Sequence, residues 1–582
     1  MPAIFETILP GVEYPAKVDL RKDVYKPLPK ITPGIVEPAT MAGSVSKTEA
    51  QAVLNALNAA LASNDVEKVA DCFYPEQTFW RDIVAFTSHL RTFSQAKVVA
   101  AALLEMKTLR GIEGELEISG EPHFTVISPV MTDVFVIGAG TSGLMIAARL
   151  KALGVESIIA DRNSQVGESW MHRHDSLKLH VPTSNCEIPY TYYRKELQSP
   201  HRLSKYEVAE HLQNYATNFH LNVLLSTTIQ SSLYNSVEKK WTFKLKTTNG
   251  TGTKTIVSKH LVQATGIGSG IPHFPPMEDQ DLFRGVITHS SQYRNAKSLV
   301  EKGVKSVAVI GSANSAFDVI QDCHDAGLDT TMVVRSPTYI FPYEYVMDPH
   351  GIGAYDLMPL ETADRMLNTF PQALDGQFSH GLFAHLASQE PDRYLALLQA
   401  GFPVIDSRDP SADVQHHLVE RGGGHYVDVG GTKLIAEGKV AVRGRVTPIR
   451  YTKTGLRLSD GTDLDADAVI WCTGFADKDV RSTAEAILGV AQAETVGSSH
   501  DSTKDTSLGP KDIAARLDAT WGVDAEGEVR GMWKRHLRME NYWVLGGVIQ
   551  HQRWWSRPLA QQIKLAIMGD LPPAYRETPN AH

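Results

Sequence analysis

The sequence predicts an α/β protein with two Rossmann-like dinucleotide-binding domains, preceded by a small N-terminal α+β domain. Two short turns, at residues 138–143 and 311–316, each follow an apolar run and precede a helix-like run. A strand, a tight turn and a helix in this order form the context that a dinucleotide fingerprint requires. The residue that ends the next strand is acidic in the first unit and basic in the second, which indicates two different nucleotides.

The first turn, Gly-Ala-Gly-Thr-Ser-Gly at 138–143, follows the apolar run from Val134 to Ile137. Its glycines permit a sharp turn and a close approach of a pyrophosphate, whose charge meets free N–H groups at the start of the helix. Asp161 lies 23 residues after Gly138, at the end of the next predicted strand. A carboxylate there favours a free 2′-hydroxyl, so the first unit is predicted to bind FAD or NAD rather than NADP.

The second unit repeats this arrangement with the opposite charge. Ser306–Ile310 is predicted as a buried strand, and Arg335 ends the following strand, 24 residues after Gly311. A guanidinium binds phosphate with two parallel hydrogen bonds, which suits the 2′-phosphate of NADPH. Ala313 and Ala316 replace the second and third glycines. The alternative is a structural α/β repeat that has lost its ligand.

Between the two turns, Phe283, Gly285, His289 and Tyr293 follow the pattern Phe-x-Gly-x-x-x-His-x-x-x-Tyr. With this segment the chain resembles the class B flavoprotein monooxygenases, which comprise flavin-containing monooxygenases, plant-type indole-pyruvate monooxygenases and Baeyer–Villiger enzymes. The similarity spans residues 131–570 and includes further motifs in the family order: Glu168-Ser169-Trp170, Ala264-Thr265-Gly266, Cys472-Thr473-Gly474, and Gly546-Gly547 with Arg553 and Ser556.

The resemblance implies an enzyme that uses FAD and NADPH. Hydride from NADPH would reduce the flavin, dioxygen would form a C4a-(hydro)peroxyflavin, and one oxygen atom would enter a small organic substrate. Phe283, Gly285 and His289 would then act at the hinge between the nucleotide domains, and Tyr293 completes the candidate catalytic set. His289 as a plain core histidine is the alternative. The candidate cofactor-binding residues are Gly138, Gly140, Ser142, Gly143, Asp161, Arg162, Ser169, Trp170, His180, Thr265, Gly311, Ser312, Asn314, Ser315, Arg335, Gly474, Gly547 and Arg553.

The type of oxygen transfer is predicted from two departures from the Baeyer–Villiger members. The Baeyer–Villiger enzymes that this chain resembles carry Trp at the position of Tyr293. They also carry an arginine after a lysine, at the position where Leu434 follows Lys433 in this chain. Without that cation, N- or S-oxygenation is expected ahead of Baeyer–Villiger or α-keto-acid oxygenation. Two other classes stay open: a flavin-dependent NADPH oxidase or reductase, and a nucleotide-sensing protein without chemistry.

Composition agrees with a large enzyme that acts on small molecules. The 57 basic and 66 acidic residues give a net charge of −9, without the basic stretch that nucleic acid requires. The four scattered cysteines form no Cys-x-x-Cys pair and suit a reducing compartment. Neither a signal peptide nor a long apolar run is recognisable, so a cytoplasmic protein without stable membrane association is expected. Six histidines between 350 and 425 lack zinc spacing, and no metal site is predicted.

Five segments are predicted along the chain. They are an extended arm with seven prolines (1–40), a small α+β domain (41–130), the first part of the FAD-binding domain (131–275), an NADPH-binding domain with an insertion (276–470), and the C-terminal part of the FAD-binding domain (471–582). The small domain begins with a helix from Ser46 that places Val53, Leu54, Leu57 and Leu61 on one face. Its Phe-Trp-Arg-Asp stretch at 79–82 resembles nuclear transport factor 2, which implies a structural or dimerising role, and a homodimer would follow from the latter.

Overall fold

The structure, a computed structural model, describes most of the chain beyond residue 46. The described residues are 47–72, 79–82, 91–94, 100–101, 103–104, 130–247, 253–266, 270–476, 479–489 and 507–574. The predicted arm at 1–40 and most of the predicted domain at 41–130 lie outside them. The five domain boundaries and the likeness to nuclear transport factor 2 therefore stay predictions.

The chain divides into two compact units, Met1–Gln77 with Gln95–Thr125, and Thr78–Ser94 with Val126–His582. In the described part of the first unit, α1 (Lys47–Ser63) and α2 (Val66–Ala70) form consecutive helices. The inward-facing side chains of Leu57 and Leu61 are buried, which confirms the helix predicted from their spacing.

The second unit contains the dinucleotide-binding domains. Its described helices are α3 (Thr141–Ala152), α4 (Glu168–Met171), α5 (Lys205–Asn218), α6 (Lys297–Val300), α7 (Asn314–Asp325), α8 (Tyr343–Val346), α9 (Leu360–Asn368), α10 (Gln372–Ser388), α11 (Leu395–Gln399), α12 (Gly431–Ala436), α13 (Val480–Ile487), α14 (Pro510–Arg516) and α15 (Ile549–Met568). Its described strands are β1 (Phe79–Asp82), β2 (Arg91–Ser94), β3 (Val130–Ile137), β4 (Ser157–Ala160), β5 (Val223–Leu224), β6 (Thr227–Asn235), β7 (Lys240–Thr247), β8 (Thr253–Gln263), β9 (Val286–His289), β10 (Ser306–Ile310), β11 (Asp329–Val334), β12 (Thr338–Pro342), β13 (Val404–Ile405), β14 (His425–Asp428), β15 (Ala441–Gly444), β16 (Pro448–Tyr451), β17 (Gly455–Leu458), β18 (Asp463–Asp465), β19 (Ala468–Trp471), β20 (Ser507–Leu508) and β21 (Tyr542–Val544).

The first large sheet carries the first turn. Its order is β20-β6-β7-β8-β3-β4-β5, with β21 beside β8. Strands β21, β8, β3, β4 and β5 pair in parallel, whereas β20, β6, β7 and β8 pair antiparallel. Helix α3 connects β3 to β4, and α15 packs against it. The buried run from Val134 to Ile137 is typical of a parallel strand covered on both faces, which confirms the first Rossmann-like domain.

The second large sheet carries the second turn. Its five strands, in the order β15-β11-β10-β19-β9, are all parallel. Along β10, Val307 and Val309 pack into one hydrophobic cluster while Ala308 and Ile310 pack into another. Because side chains alternate along a strand, these clusters cover opposite faces of the sheet. The second Rossmann-like domain is thereby confirmed, with α7 as its first crossover helix.

The insertion in the second domain is more structured than its sequence pattern indicates. The sequence predicts two helices there, at 357–366 and 393–399, which correspond to α9 and α11; the structure adds the 17-residue helix α10 and a parallel sheet of β13, β12 and β14. Helix α10 mixes apolar and polar residues around its circumference, and Leu374 and Phe378 are exposed, so no 3.6-residue period marks it. The five buried residues of β12 are too few to distinguish a strand from a buried turn of helix.

No helix in the described part of the chain combines the length and apolarity needed to cross a bilayer.

Candidate functional site

The first turn has the backbone shape that a pyrophosphate cradle needs. Gly138 has φ +105°, and its N–H donates to the Ala160 carbonyl at 2.8 Å. A Cβ at Gly138 would lie 2.5 Å from the Ala264 oxygen, and one at Gly143 would lie 1.8 Å from the Gly138 oxygen. Both glycines are therefore required by packing within the protein itself.

Gly140 differs from Gly138 and Gly143, the other two glycines of this turn. It caps α3 without a side-chain hydrogen bond, and a Cβ there would meet no protein atom within 4 Å. The glycine therefore keeps open a space beside the unpaired N–H groups at the start of the helix, where an anion is stabilised. Ser142, in the first turn of α3, is buried.

Asp161 lies directly after β4, and its side chain contacts the first turn. Its Oδ2 accepts a hydrogen bond from the Ala139 N–H at 2.6 Å, and its Oδ1 accepts one from the Asn163 N–H at 2.8 Å. The carboxylate is partly buried beside the cradle, while Arg162 is exposed. This is the position from which a carboxylate contacts an adenosine ribose.

The second turn reproduces the first at the carboxyl end of β10. Gly311 has φ +127°, and a Cβ there would lie 2.5 Å from the Cys472 oxygen. Ala313 caps α7 with φ −92°, a conformation that alanine adopts without strain. Ser312 Oγ lies 2.5 Å from Thr338 Oγ1, and Asn314 Oδ1 accepts the Val427 N–H at 3.0 Å.

Three further predicted residues, Ser315, Ser169 and Arg335, are exposed. Arg335 follows the carboxyl end of β11, on the same edge of the sheet as the second turn.

Phe283, Gly285 and Tyr293 are packing residues of the second nucleotide domain. A Cβ at Gly285 would lie 2.2 Å from the Asp467 oxygen and 2.3 Å from Phe283 Cζ. The Phe283 ring stacks on Tyr451, with ring centres 5.7 Å apart. The Tyr293 hydroxyl donates to Asp322 on α7 at 2.5 Å, and burial raises its pKa. These contacts hold β9 and the loop after it against the domain.

His289 is the member of this motif that touches the connections between the two domains. The ring is buried at the end of β9, and Nδ1 accepts the Ser291 N–H at 3.1 Å. Two linkers join the domains: the outgoing linker begins at Ala264-Thr265-Gly266, and the return linker begins at Cys472-Thr473-Gly474. The centre of the His289 ring lies 5.4 Å from the ring of Phe274 in the outgoing linker and 6.1 Å from that of Phe475 in the return linker. Burial lowers the pKa of His289. A neutral, packed imidazole fits a hinge residue.

The two linkers lie against each other. The His273 N–H donates to the Gly474 oxygen at 2.9 Å, and Gly474 has φ +74°. Thr265 Oγ1, at the start of the outgoing linker, accepts from Gln263 Nε2 at 3.1 Å. The chain therefore leaves and re-enters the first domain through paired strands of irregular backbone.

Arg553 lies inside the protein, where each of its three side-chain nitrogens donates a hydrogen bond. Its Nε and Nη2 donate to Asp364 of the insertion at 2.8 and 2.5 Å, and its Nη1 donates to the carbonyls of Asn185 and Glu187. Asp364 was not predicted, because one aspartate in an amphipathic helix carries no signal of a partner 189 residues away. Gly547, which has φ +109°, precedes the same helix.

Trp170 and His180 flank a segment that reaches the second domain. The Arg173 guanidinium lies 5.3 Å from the Trp170 ring centre. His180 Nδ1 lies 3.2 Å from Asn314 Oδ1, so this predicted cofactor-binding residue contacts the second nucleotide turn. The described residues contain no cluster of three or more His, Cys, Asp or Glu side chains that could hold a metal ion.

A cleft of about 500 Å³ opens between the first domain and the insertion. Arg202 lies at its wall, 5.9 Å from the ring centre of Tyr343, and Lys433 also faces it. Lys433 is paired with Glu437 at 3.5 Å, and a third cation, Arg393, is paired with Glu344 at 3.1 Å. The cleft thus offers cationic and aromatic groups to an organic molecule.

Comparison with known proteins identifies similar families and structures. A family model described as pyridine nucleotide-disulphide oxidoreductase matches residues 135–346. The probable indole-3-pyruvate monooxygenase YUCCA3 of Arabidopsis thaliana is 27% identical over 351 residues, which cover 58% of this chain and 72% of that protein. The indole-3-pyruvate monooxygenase YUCCA1 of Oryza sativa subsp. japonica is 28% identical over 346 residues, covering 58% and 76%.

The solved structures show the same fold. A mutant cyclohexanone monooxygenase from Rhodococcus sp. Phi1, bound to NADP+, aligns with a TM-score of 0.50 at 16% identity, covering 76% of this chain and 86% of that one. The four cysteines here are free, and the sequence contains no Cys-x-x-Cys pair. By these matches the chain is similar to monooxygenases, and the order of its motifs resembles that of the class B flavoprotein monooxygenases.

Proposed function

We propose that the first turn binds FAD, that the second binds NADPH, and that the enzyme oxygenates nitrogen or sulfur in a small organic substrate. The observation that carries this proposal is the open cradle at Gly140, beside the start of α3, with Asp161 at the end of the next strand. A second cradle lies at the carboxyl end of a separate parallel sheet, which is the arrangement for two nucleotides.

The protein groups that would hold FAD are the N–H groups at the start of α3 and the Asp161 carboxylate. Bound FAD would accept hydride from NADPH and activate dioxygen. Asp161 would share its carboxylate between the Ala139 N–H and a ribose hydroxyl, since a carboxylate accepts several hydrogen bonds. His289 and the paired linkers would hold the two domains at the distance that hydride transfer requires.

The Arg335→Ala variant is expected to raise the KM for NADPH about 10- to 100-fold, because a charge-assisted hydrogen bond contributes about 1.5–3 kcal/mol. The KM for NADH should change little, since NADH has no 2′-phosphate. Steady-state kinetics with both coenzymes measures the difference. Lys305→Ala is the matched control, because Lys305 precedes β10 and lies at the opposite edge of the sheet. An equal effect of Arg335→Ala on both coenzymes would contradict the assignment.

The preference for nitrogen or sulfur is supported by the surroundings of Leu434. This residue stands where a resembling ketone-oxygenating enzyme has arginine, and it is buried in the core of the second domain. The position therefore supplies no cation to a reacting site. Tyr293 gives little information on the type of oxygen transfer, because its hydroxyl donates a hydrogen bond to Asp322 within the second domain.

Oxygenation of an α-keto acid is the second candidate function. It is favoured by the relatives that are named indole-3-pyruvate monooxygenases. The guanidinium of Arg202 in the wall of the cleft would suit the carboxylate of such a substrate.

A substrate panel under labelled dioxygen separates these reactions. An amine, a thioether, a cyclic ketone and an α-keto acid are offered with NADPH, and labelled product, NADPH consumption and peroxide are measured. We expect labelled N-oxide or S-oxide with little peroxide. Decarboxylation of the keto acid would establish the second candidate, and lactone formation would contradict both. NADPH consumption that yields only peroxide with every compound would indicate an oxidase.

A further inference from the structure

Residues Met171–His180, which we call the strap, connect the first nucleotide domain to the second. The Asp175 N–H donates to the Arg294 carbonyl at 2.7 Å, and the Asp175 carboxylate accepts from Asn295 Nδ2 at 2.6 Å. The Arg294 guanidinium donates in turn to the His172 carbonyl. Arg294 and Asn295 follow β9 in the second domain, so the strap bridges the domains at a place away from the two linkers.

A buried cation holds the strap on the first domain. Lys205, at the start of α5, is 2% exposed. Its Nζ donates to the Arg173 carbonyl at 2.6 Å, to the Met171 carbonyl at 3.1 Å and to the Asp175 carboxylate at 2.6 Å. An ammonium has three donors, and all three are used here, so the strap has a defined position on the first domain.

Asp318 on α7 meets the strap from the second domain. His174 Nε2 donates to its Oδ2 at 3.0 Å, and His180 Nε2 lies 3.6 Å from its Oδ1. Burial alone would raise the pKa of Asp318, but the hydrogen bonds from the two histidines outweigh burial and lower it. The carboxylate is therefore ionised and is shared by two side chains of the strap.

The orientation of His180 links this contact to the second nucleotide turn. The Val427 N–H donates to Asn314 Oδ1, which fixes that atom as the oxygen, and His180 Nδ1 lies 3.2 Å from it. Both ring nitrogens of His180 thus face oxygen atoms of α7, one of Asn314 and one of Asp318. Asn314 is the first residue of α7, beside the place where a pyrophosphate would bind.

We propose that His174, His180 and Asp318 form a positioning site that sets the alignment of the NADPH-binding domain relative to the flavin. The proposal rests on the proposed function, and it assigns to these three residues no part in the oxygen chemistry. Their contacts adjoin the second cradle at Asn314, and they join the strap to the helix that would carry the pyridine nucleotide. Loss of the carboxylate would let α7 shift relative to the strap, and hydride transfer depends steeply on such displacements.

The test uses the FAD-loaded enzyme and the variants Asp318→Asn, His174→Gln and their double. Flavin reduction by NADPH is followed without oxygen, to obtain the reduction rate at saturation and the Kd for NADPH. Asp318→Asn is expected to lower the rate about 10- to 100-fold, with full flavin content and a Kd within about twofold of the wild type. The double variant should reduce its flavin no more slowly than Asp318→Asn, because both substitutions remove the same contact between His174 and Asp318. Asp325→Asn, the same change at an exposed carboxylate of the same helix, is the control.

Hydrogen exchange of the FAD-loaded enzyme tests the site without any turnover. Asp318→Asn should accelerate exchange in residues 172–180 and in both linkers, whereas Asp325→Asn should not. Unchanged exchange, or a normal reduction rate in Asp318→Asn, would overturn the proposal. If the wild type binds FAD but is not reduced by NADPH, the proposed function fails, and faster exchange in the strap would still support the contact.

Discussion

We expect the Gly140→Ala variant to fold normally and to lose its flavin almost completely. Gly140 has φ −78° and ψ −172°, which alanine adopts without strain, and no protein atom lies within 4 Å of the added Cβ. The methyl group would instead occupy the space through which a pyrophosphate reaches the N–H groups of α3. Flavin absorbance per protein, together with the circular dichroism spectrum, measures the two effects separately.

Two other glycines provide matched comparisons. Gly381→Ala also adds a methyl into open space, but on the exposed surface of α10, so it should keep full flavin and gain up to about 1 kcal/mol of stability. Gly143→Ala should fail to fold, because its Cβ would lie 1.8 Å from the Gly138 oxygen. A Gly140→Ala protein with wild-type flavin content would show that the first turn is not the FAD site.

The Arg553→Met variant is expected to lose about 3–5 kcal/mol of stability, the usual cost of leaving a buried charge without its partner. Arg553 is 2% exposed and Asp364 is 5% exposed, so water cannot replace the lost guanidinium. The carbonyls of Asn185 and Glu187 would lose their donor as well. Thermal unfolding at a fixed scan rate measures the change, because a chain of several domains does not unfold in two states.

Arg557→Met is the control for this prediction, since Arg557 lies one turn further along α15 and is exposed. It should change stability by less than about 0.5 kcal/mol. Combining Arg553→Met with Asp364→Leu should recover much of the loss, because a buried ion pair replaced by apolar residues is often neutral. If Arg553→Met unfolds at the same temperature as Arg557→Met, the ion pair of Arg553 with Asp364 does not stabilise the fold. A direct role of Arg553 at the cofactor would then be the better explanation for its burial.

The motif residues around the two turns were predictable because their chemistry depends on near neighbours in the chain. A glycine with positive φ, the helix that follows it and the charge at the end of the next strand all lie within about 25 residues of one another. Pairing in the two sheets then brought Asp161 to Ala139 and Arg335 to the edge of the second turn. The order of the five family motifs likewise follows from the chain alone.

The roles within the Phe-x-Gly-x-x-x-His segment depended on packing. Only His289 contacts both linkers, whereas Tyr293 is held by Asp322 and Gly285 is required by the closeness of Asp467. The insertion followed the same rule: α9 and α11 have a recognisable period, but α10 and the parallel sheet around β12 do not. Short buried strands and helices without a polar face carry no periodic signal.

The sequence by itself indicated two dinucleotide cradles in one chain, one followed by Asp161 and the other by Arg335, because each cradle is local and its first position requires a glycine with positive φ. Only the tertiary structure decided how the cradles are joined. The contacts of His174 with Asp318 and of Arg553 with Asp364 link residues 144 and 189 positions apart. Such pairs form because buried charges must find partners wherever the fold places them, and nothing in the neighbouring sequence specifies which partner that will be.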